Sequence, residues 1–147
     1  MNPEPKLTVE LVPSTAWGAN LRSVLHPEHW NILRKASYKK ARYRCEICGG
    51  KGPDHPVECH EIWHYDDERK IQSLKGLISL CPACHRVKHL GHAHVIGAGD
   101  EAREHLQKIN GWSQSEASQY IGDVFLIWEE RSRFEWQLDL SWLETNH

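Results

Sequence analysis

Two stretches, Cys45-Glu46-Ile47-Cys48 and Cys81-Pro82-Ala83-Cys84, separated by 32 residues, decide how this chain is read. Each Cys-x-x-Cys turn brings two thiolates to one point, and two such turns fill the four positions of a tetrahedral zinc ion, leaving none open. Gly49 and Gly50 follow the first pair and suit the tight turn of a zinc knuckle. Pro82 sits well at a first helical position, so the second pair lies where backbone N–H groups can bond a thiolate. Structural zinc held by Cys45, Cys48, Cys81 and Cys84 is the expectation. Disulfides are the competing reading; an odd total of five cysteines and their regular pairing count against it.

The segment between the pairs contains Cys59-His60-Glu61-Ile62-Trp63-His64. Residues 57–64 read as a strand and residues 77–80 as a second, short one, and the two could form a hairpin. The second cysteine pair runs directly into His85 and His89, four apart on a helix predicted from Pro82 to about Gly91. At that spacing both imidazoles leave one helix face and make a bidentate metal platform. On the strand, His60 faces away from Cys59 and Glu61. Held against the two helix histidines, a neutral His60 could take a proton from water near neutral pH. With eleven histidines in the chain, position rather than residue type singles these three out.

Farther out, residues 6–12 alternate apolar and polar, predicting a strand with Leu7, Val9 and Leu11 inward. A helix is expected from Pro27 to about Tyr43, with its basic residues late, where cations suit the dipole. The His- and Gly-rich residues 91–99 read as a linker. Asp100 is placed as the cap of a helix running to Ile109 and closed by Asn110-Gly111. Ser113 and Glu116 form a capping box before a longer helix with Ala117, Tyr120, Ile121, Val124 and Trp128 on one face. Trp136, Leu138, Leu140 and Trp142 alternate with polar residues, a strand expected to pair with the first one. Among the seven tryptophans, Trp128, Trp136 and Trp142 read as core residues, whereas Trp63 could stack on a base.

A chain of 147 residues fits a single domain, 1–147, able to bury a core. It divides into an N-terminal strand and basic helix (6–43), a zinc core (about 44–90), and a helical, Trp-rich C-terminal extension (100–147). No apolar run approaches a membrane span, and the start Met1-Asn2-Pro3-Glu4-Pro5-Lys6 lacks the basic-then-apolar pattern of a leader, so a cytoplasmic protein without membrane contact is expected. Net charge is only −2, but residues 34–99 hold twelve Lys/Arg against seven Asp/Glu, and residues 100–147 four against ten. Lys39, Lys40, Arg42 and Arg44, interleaved with Tyr38 and Tyr43, suit a phosphate backbone, and Arg86 and Lys88 stand beside the candidate site. A solvated helix face is the plain alternative. Neither a Gly-rich phosphate loop nor a Ser/His/Asp arrangement occurs.

Three runs taken together, Arg44-Cys45-Glu46-Ile47-Cys48, Glu58-Cys59-His60-Glu61-Ile62 and Gly76-Leu77-Ile78-Ser79-Leu80-Cys81-Pro82-Ala83-Cys84-His85-Arg86-Val87-Lys88-His89, resemble the four-cysteine subtype of HNH endonucleases. The resemblance covers about 45 residues. It implies a ββα-metal finger and, for the whole chain, an α+β fold: a zinc-stapled ββα core with additional helices and terminal β-strands. It also implies that His60 is the general base and His85 a metal ligand, with His89 as a second. Two positions differ from the family pattern. Gly76 stands where the family usually carries Asn, and Cys59 where it often carries a metal-binding Asp or His. Cys59 would favour a thiophilic ion; Glu58, Glu61 or His64 could supply the ligand instead.

The expected function is metal-dependent hydrolysis of DNA phosphodiester bonds. His60, with Glu61, would do the catalytic work. His85, His89 and Cys59 are candidate ligands of a divalent ion (Mg²⁺, Mn²⁺, Ni²⁺ or Zn²⁺), and Lys39, Lys40, Arg42, Arg44, Arg86 and Lys88 would contact DNA. The alternatives are a non-catalytic zinc module binding DNA or a protein, and a homodimer through the C-terminal extension.

Overall fold

The computed structural model describes residues 4–18 and 20–145, and its organising element is an antiparallel hairpin. Strand β1 (Glu58–Asp66) pairs with β2 (Ile71–Leu80), with His60 opposite Ile78 and Ile62 opposite Gly76. The hairpin is longer than the sequence suggested. Asp66 closes it by accepting, on Oδ1, the N–H groups of Glu68 and Arg69 (both 3.1 Å), and Lys70 takes φ 56°. The register slips between Ile62 and Trp63, so Trp63 faces Leu74 and β2 accommodates Lys75 as one extra residue. Gly76 therefore lies within β2, not in a loop, and an added Cβ would meet Ile62 at an ordinary 3.7 Å.

Each sheet face carries its own apolar cluster. On one side α1 (Leu21–Val24) and α2 (Pro27–Lys40) cover β1 and β2, with Leu21, Trp30, Leu33, Cys59 and Leu74 buried together. Pro27 begins α2 as expected, but the helix stops at Lys40 rather than near Tyr43. Arg42 and Tyr43 adopt φ 57° and 59°, which turns the chain into the first cysteine knuckle. On the other side lie α3 (Pro82–Lys88), α4 (Leu90–Val95), α5 (Gly99–Asn110) and α6 (Gln114–Arg131). There Leu80, Val87, Leu90, Leu106 and Ile121 pack with Cys45, Cys81 and Cys84. The cysteine knuckles and the C-terminal helices thus share one core.

Three expectations need correction. Residues 91–99 are not a linker: Leu90 and Ala93 bury a face of α4, and Gly97 (φ 81°) turns the chain into α5. The N-cap of α5 is Ala98, with Asp100 in the first turn. Residues 6–12 do point Leu7 and Val9 inward, yet they form no strand. The Glu10 N–H donates to Lys88 O (3.0 Å), and several other backbone groups bond to side chains instead. Asn110 Oδ1 accepts the Lys6 and Leu7 N–H groups (2.8 and 3.0 Å), Asn110 Nδ2 donates to Leu7 O, and Tyr120 Oη accepts the Val9 N–H (2.9 Å).

The last strand is also shorter than predicted and has a different partner. β3 (Gln137–Asp139) pairs in parallel with residues 71–73 of β2, giving sheet order β1-β2-β3. Asp139 then accepts the Ser141 N–H (2.9 Å), and α7 (Trp142–Thr145) replaces the rest of the expected strand. The capping box at Ser113 and Glu116 is present as read, and Gly111 (φ 68°) ends α5. Among the described residues no helix is long and apolar enough to cross a membrane.

Candidate functional site

The four sulfurs of Cys45, Cys48, Cys81 and Cys84 lie within 4.8 Å of one another, and no disulfide joins any of these cysteines. Tight backbone turns build the cage. Cys45 Sγ accepts the Ile47 and Cys48 N–H groups, Cys48 Sγ that of Gly50, and Cys81 Sγ, capping α3, that of Cys84, all at 3.4 Å. Cys48 and Cys81 sulfurs are 3.6 Å apart. Sulfurs at about 2.3 Å from a common zinc ion stand about 3.8 Å apart, so the spacing suits that metal. A hydrogen bond from Cys84 lowers the Cys45 thiol to about 4, while the same contact drives Cys84 far up. Four thiolates this close need a cation between them. The arrangement fits a closed, structural zinc site.

Beside the cage, three imidazoles converge. His60 projects from β1, His85 follows Cys84 in α3, and His89 caps the same helix; ring centroids are 4.8 to 5.3 Å apart. One nitrogen from each lies within 4.8 Å of the others, a group able to hold a metal ion. His85 and His89 approach Nε2 to Nε2 at 3.1 Å. Two nitrogens bound at 2.0–2.1 Å to one ion stand roughly 3 to 3.4 Å apart, so the pair is spaced as co-ligands are. His85 Nδ1 donates to Glu58 Oε1 (3.0 Å), whose other oxygen meets His55 Nε2 (2.9 Å). A carboxylate behind a ligating histidine fixes its tautomer and turns Nε2 toward the ion. Burial lowers the affinity of His85 for protons and, with its two imidazole neighbours, takes His89 down to about 3. Both rings are therefore neutral at physiological pH, as ligands must be.

His60 is almost fully buried, at 3% exposure. Its Nε2 lies 2.6 Å from Glu10 Oε2, and among the described residues its buried Nδ1 has no hydrogen-bond partner. The trio stands between two clefts. One, of about 940 Å³, is bordered by His60, His89, Trp17, Trp63 and Trp128. The other, of about 500 Å³, is bordered by Glu58, His85, Arg86, His89 and His92.

Not every residue singled out in the sequence reaches this place. Cys59 packs on the opposite sheet face with Leu21, Trp30 and Leu33, and burial raises its thiol to about 12. It is a core residue and not a ligand of the histidine group. Glu61 lines the first cleft with His60 and His89, and its Oε1 accepts the Leu21 N–H at the start of α1 (3.3 Å). Lys88 is buried, donating to Thr8 Oγ1 (2.7 Å) and paired with Glu10 Oε1 (3.2 Å), so it is unavailable to a phosphate backbone. Arg86 pairs with Glu101 (3.1 Å) at the second cleft. Lys39, Lys40, Arg42 and Arg44 are exposed and, among the described residues, carry no salt bridge. However, α2 covers the sheet face opposite His60, with Ser37 Oγ bonded to Ser79 Oγ (2.8 Å).

Sequence reading missed Glu10 and His105, whose Nε2 lies 3.1 Å from Cys84 Sγ. Glu10 falls at an outward position of the alternating residues 6–12, and His105 lies within α5. Neither carries a local signal, because each meets its partner only through long-range packing. Compared with protein-family models, curated proteins and solved structures, the chain matches none.

Proposed function

We propose that the protein is a metal-dependent endonuclease of the HNH type, cleaving phosphodiester bonds in DNA, with a zinc-stapled ββα-metal core. The observation that carries this reading is the group of three converging imidazoles on a hairpin and its following helix, next to a four-cysteine cage. In this reading His60 Nδ1, the nitrogen without a hydrogen-bond partner, takes a proton from the water that attacks phosphorus. His85 and His89 would hold a divalent ion, which would supply positive charge to the phosphate oxygens and the departing 3′ oxygen. Glu58 orients His85. The exposed cluster Lys39, Lys40, Arg42 and Arg44 supplies sequence-independent affinity that falls with salt. Five free cysteines suit a reducing compartment such as the cytoplasm.

A second reading, a zinc module that binds DNA without cutting it, draws on one observation: α2 with Lys39 and Lys40 covers the sheet face opposite the imidazoles. Plasmid nicking with Mg²⁺, Mn²⁺, Ni²⁺ or Zn²⁺ separates the two. Metal-dependent nicking that falls by about 10² to 10⁴ in His60→Ala is the expected result. No nicking with any ion, alongside salt-sensitive DNA binding, would leave the module reading standing.

A further inference from the structure

We propose that Glu10, on the N-terminal segment, is a positioning residue for His60: its carboxylate fixes the imidazole with the proton on Nε2 and keeps the Nδ1 lone pair available. The geometry has few alternatives. An ionised carboxylate only accepts, so the 2.6 Å contact with Oε2 requires hydrogen on Nε2. Among the described residues nothing accepts from Nδ1, which is buried, so the Nδ1–H tautomer would leave that donor unbonded.

The carboxylate is itself held. Lys88 Nζ sits 3.2 Å from Oε1 and is anchored by Thr8, and the Glu10 backbone N–H donates to Lys88 O (3.0 Å). Burial by itself would make Glu10 harder to ionise; the bond from His60 and the ammonium of Lys88 outweigh it, and Glu10 remains a carboxylate. Lys88 thereby acquires a role different from nucleic-acid contact. It neutralises the carboxylate that orients the ring, from the helix that carries His85 and that His89 caps. A proton delivered to Nδ1 during catalysis would create an imidazolium already paired through Nε2.

The proposal builds on the reading of His60 as the base, and its test separates the two. Long-range ¹H–¹⁵N spectra of the zinc-loaded protein above neutral pH, without a second cation, report where His60 carries its proton. The expected signature is a single Nε2–H tautomer in the wild type and a mixture in Glu10→Ala. A wild-type ring protonated on Nδ1, or an unchanged single tautomer in the variant, overturns the proposal. Glu10→Ala strands a buried ammonium, so Glu10→Ala/Lys88→Met is recorded as well; a retained single tautomer there overturns it too. In nicking assays Glu10→Ala is expected to lower kcat about 10- to 100-fold, with Glu10→Asp recovering part of the loss and KM nearly unchanged. An unchanged kcat in an active enzyme contradicts the role. If the spectra behave as expected but the wild type does not nick, the nuclease reading fails while the assignment of Glu10 stands.

Discussion

A histidine with a proton affinity as low as that of His89 couples the site to stability. Its folded-state value is lowered to about 3, chiefly by burial, from an ordinary value near 6.5. Below pH 6.5 the unfolded chain takes up a proton that the folded protein refuses, so stability falls as pH drops. Between pH 6.5 and pH 5 this one residue is expected to cost about 2 kcal/mol. Glu10 and Glu58 have lowered values as well, but as carboxyls they lose their contribution only below about pH 4.5, outside this window. Urea midpoints at pH 7 and pH 5, without cations added for the histidine site, check this. His89→Gln should show the smaller pH dependence; equal slopes would contradict the burial argument.

Between elements, Asn110 substitutes for a strand. By bonding both ends of the Lys6–Leu7 backbone at the C-terminal end of α5, it holds the N-terminal segment that delivers Glu10 to His60. Asn110→Ala leaves partly buried backbone groups without partners and is expected to cost about 1–3 kcal/mol. The loss should be local. Amide exchange of residues 6–10 should accelerate more than that of the β1–β2 hairpin. Uniform acceleration across both would show that the segment does not open separately. The same arrangement explains why alternation in residues 6–12 misled: it records one buried side of an extended segment, whichever groups satisfy its backbone.

Over the whole molecule, the cysteine cage is embedded in the principal core, with Cys45, Cys81 and Cys84 packed among Leu80, Val87, Leu90 and Leu106. Zinc in that position would join the knuckle before the hairpin, the helix after it and, through His105 at Cys84, α5. Metal binding of this kind is worth on the order of 10 kcal/mol in zinc-folded peptides and supplies folding energy directly. Metal analysis is expected to find one tightly held zinc ion per chain. Stripping it with a strong chelator should abolish cooperative unfolding, followed by tryptophan fluorescence. A chain that stays cooperatively folded without zinc would show that the apolar core suffices.

Local chemistry was legible in the sequence. The spacing of Cys45, Cys48, Cys81 and Cys84, the capping box at Ser113 and Glu116 and the turn at Gly111 each depend on a few neighbouring residues, so the one-dimensional pattern carries them; His85 and His89 converge as their spacing suggested, although α3 ends at Lys88 rather than near Gly91 and His89 is its C-cap. The helix over Leu90–Val95 and the brevity of β3 were not legible, because burial against other elements decided both. Nor was the removal of Cys59 from the site: strand alternation set it apart from His60, but only the packing of α1 and α2 showed what occupies that face. The contacts Glu10–His60 and Lys88–Glu10 span 50 and 78 positions of chain. No periodicity reports such a pair; the fold alone brings a carboxylate, an ammonium and an imidazole into one buried hydrogen-bonded group.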